Sequence, residues 1–208
     1  MFRKYRTFYT IRNLSSSIAG YLCCLNKFII NIMKKSLLIF LFVFCGHAFS
    51  CNGLLDTDVK ILNKDEYKNL CEYSEKTILV VNTASKCGYT NQFEGLEALQ
   101  RRFSSEGFTV LGFPSRNFLW QEYEDEAKVG EFCKAMYDVT FPMFSISNVK
   151  NSTDHPFYKK LFEMTDERPK WNFHKFLITK DGEIKSFSHK VEPNDPKIIQ
   201  AIQDSIKL

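Results

Sequence analysis

Residues 77 to 113 constrain the fold more than any other stretch of this chain. TILVVNT (77–83) is a continuous apolar run with polar flanks, which predicts a strand buried on both faces. Beyond Cys87, the residues Phe93, Leu96, Leu99 and Phe103 recur at helical spacing, and Gly107 is a natural stop for that helix. FTVLGF (108–113) predicts a second buried strand. A strand, a crossover helix and another strand form a right-handed parallel unit, with ligands expected at the carboxyl ends of the strands.

Cys87 lies at that end, where the strand gives way to the helix. Unpaired N–H groups and the positive end of a helix dipole stabilise a thiolate, and the adjacent Lys86 adds a cation. The alternative for any lone cysteine is a small buried hydrophobe. The strand-to-helix position favours a nucleophile with a lowered pKa. Such a thiolate attacks the O–O bond of a hydroperoxide, leaving a sulfenic acid and releasing an alcohol or water.

Further along, Val129, Phe132, Cys133 and Met136 share one helical face, and the acidic run Glu122 to Glu126 suits the start of that helix. Asp154 before Pro156 and Asp195 before Pro196 predict two more helix starts, the last helix turning Ile198, Ile199, Ile202 and Ile206 inward. Phe173 to Lys180 and Glu183 to His189, joined through Asp181 and Gly182, predict a hairpin. The expected architecture is α/β, a central mixed sheet flanked by helices. His155, His174 and His189 form no HExxH or Cys/His zinc spacing, and the chain has no GxGxxG or GxxxxGK[ST] loop. No metal or cofactor is expected, and nucleotide chemistry has no support.

Four blocks carry a more specific resemblance: VVNTASKCGYTNQFEGLEAL (80–99), GFPSRNFLWQE (112–122), VTFPMF (139–144) and KWNFHKFL (170–177). In this order and approximate spacing they resemble the glutathione peroxidase family, in a form with cysteine in place of selenocysteine. The resemblance implies a thioredoxin-like fold, with Cys87 as the peroxidatic residue and Gln121, Trp171 and Asn172 around its sulfur. Indole and amide N–H groups can stabilise the anion and polarise the peroxide. Cys133 occupies the place of the resolving cysteine in two-cysteine members, the alternative being a buried structural thiol. If it resolves, its helix must partly unwind, because disulfide-bonded Cα atoms lie within about 7 Å.

Two departures from the family pattern matter. Where many members read FPCNQFGGQEP, this chain reads FPSRNFLWQEY, with Ser115, Arg116 and Asn117 changed and Leu119 and Trp120 replacing two glycines. Bulky residues resist the positive φ angles open to glycine, so an altered loop and an altered reach for Gln121 are expected. The short stretch between Leu161 and Trp171 lacks the long insertion of tetrameric, glutathione-using members. Together with Cys133 this implies reduction by thioredoxin or a related small protein, with glutathione as the alternative.

The first fifty residues read differently. No Asp or Glu precedes Asp56, whereas seven Lys or Arg fall within residues 1–55. Removing those seven from the chain's 28 leaves 21 basic against 24 acidic residues, a formal charge of −3 that offers no argument for nucleic-acid binding. Met33 opens a secretory pattern over residues 33–50, with Lys34 and Lys35, an apolar run from Leu37 to Cys45, and small residues before Cys51. Residues 1–32 then read as an upstream extension, and residues 51–208 as one peroxidase domain. AFSC (48–51) loosely matches a bacterial lipoprotein signal, so membrane attachment through the leader or a lipidated Cys51 is one expectation. An exported, periplasmic or membrane-anchored protein follows, the alternative being a mitochondrial or plastid transit peptide. Cys23, Cys24 and Cys45 would leave with the leader, and Cys71 reads as a structural or surface thiol, with a disulfide permissible on export.

Two rival functions share these features. A thiol-disulfide oxidoreductase on the same fold would want a second cysteine three residues after the first, where this chain has Thr90. A low-turnover redox-sensing or binding protein is the non-enzyme reading, and a disrupted Gln121 loop would favour it.

Overall fold

The computed structural model describes Cys51, residues 53–150 and residues 154–207; the readings of residues 1–50, including the signal pattern and Cys23, Cys24 and Cys45, lie outside the described residues. The fold grows from its central strand. Every residue of β3 (Thr77–Thr83) is buried, as its unbroken apolar run requires. Ile78 and Val80 enter one hydrophobic core while Leu79 and Val81 enter the other, because successive side chains point to opposite faces. Helix α1 (Gln92–Phe103) crosses over and buries Phe93, Leu96, Leu99 and Phe103. A 3₁₀ turn (Ser104–Glu106) and Gly107 at φ 87° then return the chain to β4 (Phe108–Pro114). β4 pairs with β3 in parallel, from Thr77 opposite Phe108 to Thr83 opposite Pro114.

β5 (Lys175–Ile178) lies antiparallel on the other side of β3, and β6 (Ile184–Phe187) pairs antiparallel with β5. Their turn carries Gly182 at φ 88°, so the expected hairpin is present with shorter strands. The resulting sheet, β4-β3-β5-β6, is mixed and flanked by helices, in agreement with the expected architecture. The free edge of β4 is covered by VTFPMF, since Gly112 N–H donates to Pro142 O at 2.9 Å and Phe144 N–H donates to Gly112 O at 2.9 Å. Glycine lets the Met143 side chain lie close against β4, since a Cβ on Gly112 would lie 2.2 Å from Met143 Sδ.

Helix α2 (Glu126–Tyr137) is capped by Asp125, whose side chain accepts from Ala127 N–H at 2.9 Å. Val129 and Cys133 are buried and Phe132 is half-buried, but Met136 is 65% exposed and corrects the expected four-residue face. The inward stripe follows Val129 and Cys133 at i, i+4 and turns Met136 to solvent. Helix α3 (Pro156–Thr165) starts at Pro156, and α4 (Pro196–Ile206) is capped by Asp195 accepting from Lys197 N–H at 2.8 Å. Ile198 and Ile202 are buried, while Ile199 and Ile206 are half-buried.

The sequence reading missed a small N-terminal hairpin of β1 (Asp58–Lys60) and β2 (Tyr67–Asn69). By folding the chain back it brings Cys51 to Cys71, which form a disulfide with Cα atoms 5.5 Å apart. Cys71 thus takes the disulfide that export permits rather than standing as a free thiol, and the Cys51 sulfur that would carry a lipid is bonded to it, against the lipidation expectation. Lys160 Nζ fastens the same segment to α3, donating to Gly53 O at 2.9 Å, Asp56 O at 2.6 Å and Thr57 Oγ1 at 3.0 Å.

Candidate active site

Cys87 is a free thiol, 8% exposed, in the core between β3, α1 and α2. It sits five residues before α1 rather than on the helix's first turn. The intervening turn is held by i→i+3 bonds: Thr90 N–H to Cys87 O, Gln92 N–H to Tyr89 O and Phe93 N–H to Thr90 O. Thr90 organises it. The Thr90 hydroxyl accepts from Cys87 N–H at 2.9 Å and faces Ala84 O at 2.9 Å and Cys87 O at 2.7 Å as acceptors. The position that would hold the second cysteine of a CxxC pair therefore caps the loop. Lys86 Nζ stands 3.8 Å from the centre of the Tyr123 ring, so its cation is shared with an aromatic face.

Gln121 arrives through a turn whose central residues, Leu119 and Trp120, adopt φ 56° and 55°. Gln121 N–H donates to Phe118 O at 3.4 Å across this turn. Leu and Trp thus take the conformation they were expected to resist. Both flanks impose it. Asn117 Oδ1 accepts from Val149 N–H at 2.7 Å and Lys150 N–H at 3.2 Å, Phe118 is buried with its ring 5.7 Å from that of Trp171, and Lys86 N–H donates to Gln121 O at 2.8 Å. Gln121 meets Asn172, whose Nδ2 donates to its Oε1 at 3.2 Å.

Trp171 and Asn172 are set by Asn82, a buried residue of β3 that the sequence reading passed over. Asn82 Nδ2 donates to Trp171 O at 3.1 Å, and Asn82 O accepts from Phe173 N–H at 2.6 Å. Phe173, fully buried, takes φ 67°, a conformation that costs a bulky residue roughly 1–2 kcal/mol and persists only where the surroundings fix it. Asn172 is fully buried and Trp171 is half-exposed against both cores. Gln121, Trp171 and Asn172 are thereby brought together beside the Cys87 loop.

Cys133 is the other free thiol among the described residues, 2% exposed in the same core as Cys87. Burial, and secondarily the charge of Glu122, push its pKa up to about 12. Glu122 is itself 2% exposed, with Oε1 accepting from Tyr123 N–H at 2.8 Å. Burial pushes its carboxyl up, against the opposing pull of Ser85, the Tyr123 N–H and Lys86.

Lys175 was also missed. It is fully buried, and its Nζ donates to Gln92 Oε1 at 2.6 Å, Phe173 O at 2.8 Å and Val191 O at 2.8 Å. It thus ties α1, the Asn172–Phe173 corner and the loop before α4 together, while burial pulls its pKa down to about 7. A lone Lys inside the apolar run FHKFLI was the available signal. His189 meets Tyr89 edge-on at 4.9 Å. Among the described residues no group of His, Cys, Asp and Glu is arranged to hold a metal ion.

Comparison with known proteins gives the same reading. The family model for glutathione peroxidase matches residues 54–162. A glutathione peroxidase of Lactococcus lactis is 42% identical over 135 residues, spanning 62% of this chain and 86% of that protein. A thioredoxin/glutathione peroxidase of Escherichia coli is 35% identical over 177 residues, spanning 73% and 96%. The crystal structure of Trgpx in apo form shares 36% identity and a TM-score of 0.60, covering 76% of this chain and 98% of that one. The matched region runs through Cys87, Gln121 and Cys133, and the chain belongs to the glutathione peroxidase family, with a thioredoxin-like fold.

Proposed function

We propose that Cys87 is the peroxidatic nucleophile of this thiol-dependent peroxidase, acting on hydrogen peroxide or organic hydroperoxides. Peroxidase chemistry follows from the family. The assignment to Cys87 is carried by the Asn172–Gln121 hydrogen bond, which joins the loop linked to Lys86 with the Trp171–Asn172 corner. With Gln121 Oε1 occupied by Asn172, its Nε2 remains to donate outward, and the Trp171 indole N–H is a second donor. The Cys87 thiolate attacks the peroxide's nearer oxygen, the O–O bond breaks, and the departing oxygen takes a proton, leaving Cys87 sulfenic acid.

Cys133 then condenses with that sulfenic acid, forming a disulfide and releasing water, and a thioredoxin-like protein reduces the bond by thiol exchange. The E. coli relative bears both thioredoxin and glutathione in its name, and glutathione is the alternative donor here. The Thr90 hydroxyl at the CxxC position weighs against the oxidoreductase rival, and the Gln121–Asn172 contact weighs against the sensor rival. We further propose export directed by residues 33–50, a reading in keeping with the Cys51–Cys71 disulfide, since such bonds persist in oxidising compartments.

Hydroperoxide consumption by the purified chain, with Cys87→Ser and Cys133→Ser controls and mass mapping of trapped peptides, tests the cycle. Loss of turnover in Cys87→Ser and a Cys87–Cys133 disulfide in the parent are expected. Turnover that survives Cys87→Ser would overturn the assignment, and a persistent Cys87 sulfenic acid in the parent would remove Cys133 from the cycle.

A further inference from the structure

Lys175 is the one Lys or Arg among the described residues that is fully buried, and no described carboxylate lies within ion-pair distance of it. Its Nζ donates to three neutral acceptors, Gln92 Oε1 at 2.6 Å, Phe173 O at 2.8 Å and Val191 O at 2.8 Å. An ammonium has three N–H donors and no acceptor, so these partners use all of them. Gln92 is fixed as an acceptor, because its Nε2 donates to His189 O at 2.7 Å and to Glu192 Oε1 at 3.3 Å. A neutral amine keeps two N–H groups and turns a lone pair on the third oxygen, so one proton lost is one bond lost.

One of the three acceptors belongs to the corner that carries Trp171 and Asn172. Phe173 holds φ 67° against its local cost with both backbone polar groups engaged, its N–H on Asn82 O and its carbonyl on Lys175. Asn172, one residue earlier, donates to Gln121 Oε1, and Trp171 O accepts from Asn82 Nδ2. The ammonium therefore pulls on the same short segment that presents two of the groups around the Cys87 loop. Its other neighbours leave it weakly charged. β3 and β6 set Val81 and Phe187 opposite Lys175, the loop before α4 brings Glu192 and His189, and His174 precedes it in the chain. Burial pulls the Lys175 pKa down to about 7 against the opposing charge of Glu192, so the third proton leaves far below the usual lysine range.

We propose that Lys175 is a positioning residue for peroxide reduction: its ammonium holds the Trp171–Asn172–Phe173 corner beside the Cys87 loop, and loss of one proton slackens that corner and slows attack on the peroxide. The proposal rests on the peroxidase reading and adds an alkaline limit to it. Cys87 must lose its proton to react, whereas Lys175 must keep its own. The rate of Cys87 oxidation then passes through a maximum with pH, rising with the thiolate and falling with the ammonium.

The test measures oxidation of Cys87 by hydrogen peroxide across the neutral and alkaline range, by acid quench and peptide mass, in the full chain and in Lys175→Met. The parent should show a falling limb. Lys175→Met, close in volume but without donors, should react roughly tenfold more slowly near neutral pH and show no falling limb, since a misplaced site group costs up to about 10²-fold. A second measurement needs neither turnover nor folding of that variant. In the Cys87→Ser chain, which lacks the thiol's own titration, the NMR shifts of Lys175 Cε and of the Trp171 indole N–H should move with pH at one common midpoint near 7. His189, whose ring centre lies 6.5 Å from that of Trp171, has its pKa lowered by burial and contributes on the acid side. A parent without a falling limb, uniform slowing in Lys175→Met with the limb intact, or a Trp171 signal that ignores the Lys175 titration would overturn the proposal and leave Lys175 a packing residue. If no form consumes hydrogen peroxide, the peroxidase reading fails instead, and the paired Lys175 and Trp171 shifts still decide whether the ammonium holds the corner.

Discussion

Replacing Gly130 by alanine should slow formation of the Cys87–Cys133 disulfide about fivefold without slowing the oxidation of Cys87. Gly130 lies inside α2, three residues before Cys133, and a Cβ there would meet only Leu62 Cδ2 at 3.8 Å, an ordinary contact. A glycine-to-alanine change in a helix interior without strain stabilises the helix by about 1 kcal/mol. Cys133 is 2% exposed with its thiol pushed up to about 12, so near neutral pH it stays protonated while the helix is closed. Reaction through an opened helix is then the faster route, and its rate scales with the opening equilibrium. One kcal/mol changes that equilibrium by a factor of about 5.

The assay mixes reduced protein with hydrogen peroxide, quenches with acid, and follows dimedone-trapped Cys87 and the disulfide peptide against time. In Gly130→Ala the sulfenic acid should form at the parent rate and persist about fivefold longer, and native alkylation of Cys133 by iodoacetamide should fall by the same factor. A variant that is more heat-stable yet closes its disulfide at the parent rate would refute the reasoning. Opening of α2 would then not precede bond formation, and Cys133 would revert to a packing residue.

Other perturbations have equally definite signs. His155 is half-buried and His174 buried, with their pKa values lowered to about 4 chiefly by desolvation, while the unfolded chain protonates near 6.5, so the stability they confer by staying neutral is present above pH 6.5 and is lost as pH falls toward 4. Each is worth up to about 3 kcal/mol, so the urea midpoint should drop sharply between pH 6.5 and 4.5, and a level midpoint would contradict the burial argument. Thr90→Val leaves the Cys87 N–H without its acceptor, which should cost about 1–3 kcal/mol in urea titrations and slow Cys87 oxidation, with Thr90→Ser restoring both. Cys71→Ser opens a loop of 20 residues and should lower stability by about 3 kcal/mol, measured as a urea midpoint and matched by the parent after reduction of that bond.

The elements that the sequence disclosed are those whose pattern is local. TILVVNT is apolar without interruption because β3 is covered on both faces, and Phe93, Leu96, Leu99 and Phe103 repeat at helical spacing because α1 covers one of them. Met136 misled because periodicity fixes a stripe but not the angle at which the helix meets the core. The Cys51–Cys71 bond was hidden because its partners meet only after β1 and β2 pair, an event no single stretch of sequence records. In the site, Cys87, Gln121, Trp171 and Asn172 were readable as family blocks. Asn82 and Lys175 lie in the same blocks, but their roles were hidden because the acceptors they reach, Trp171 O and Gln92 Oε1, lie 89 and 83 residues away along the chain. The positive φ of Leu119 and Trp120 was unreadable for a related reason: a local conformational cost is overridden by contacts of Asn117 with Val149 and of Phe118 with Trp171.

That override separates two kinds of stiffness around the two thiols. On the Cys87 side, Leu119, Trp120 and Phe173 hold left-handed backbone angles, and each is flanked by residues whose contacts span the chain. A conformation that costs free energy locally survives only in surroundings that offer no alternative, so Gln121, Trp171 and Asn172 are held in place before any substrate arrives. On the Cys133 side the helix contains Gly130 and ends at Asp138 in a left-handed conformation whose side chain pairs with Arg101 and Lys134 at the surface. Surface pairs of this kind contribute little, and a mid-helix glycine weakens the element further. Peroxide reduction needs a fixed site and disulfide closure needs a movable one, and in this chain the costly backbone lies around the first thiol and the weak helix around the second.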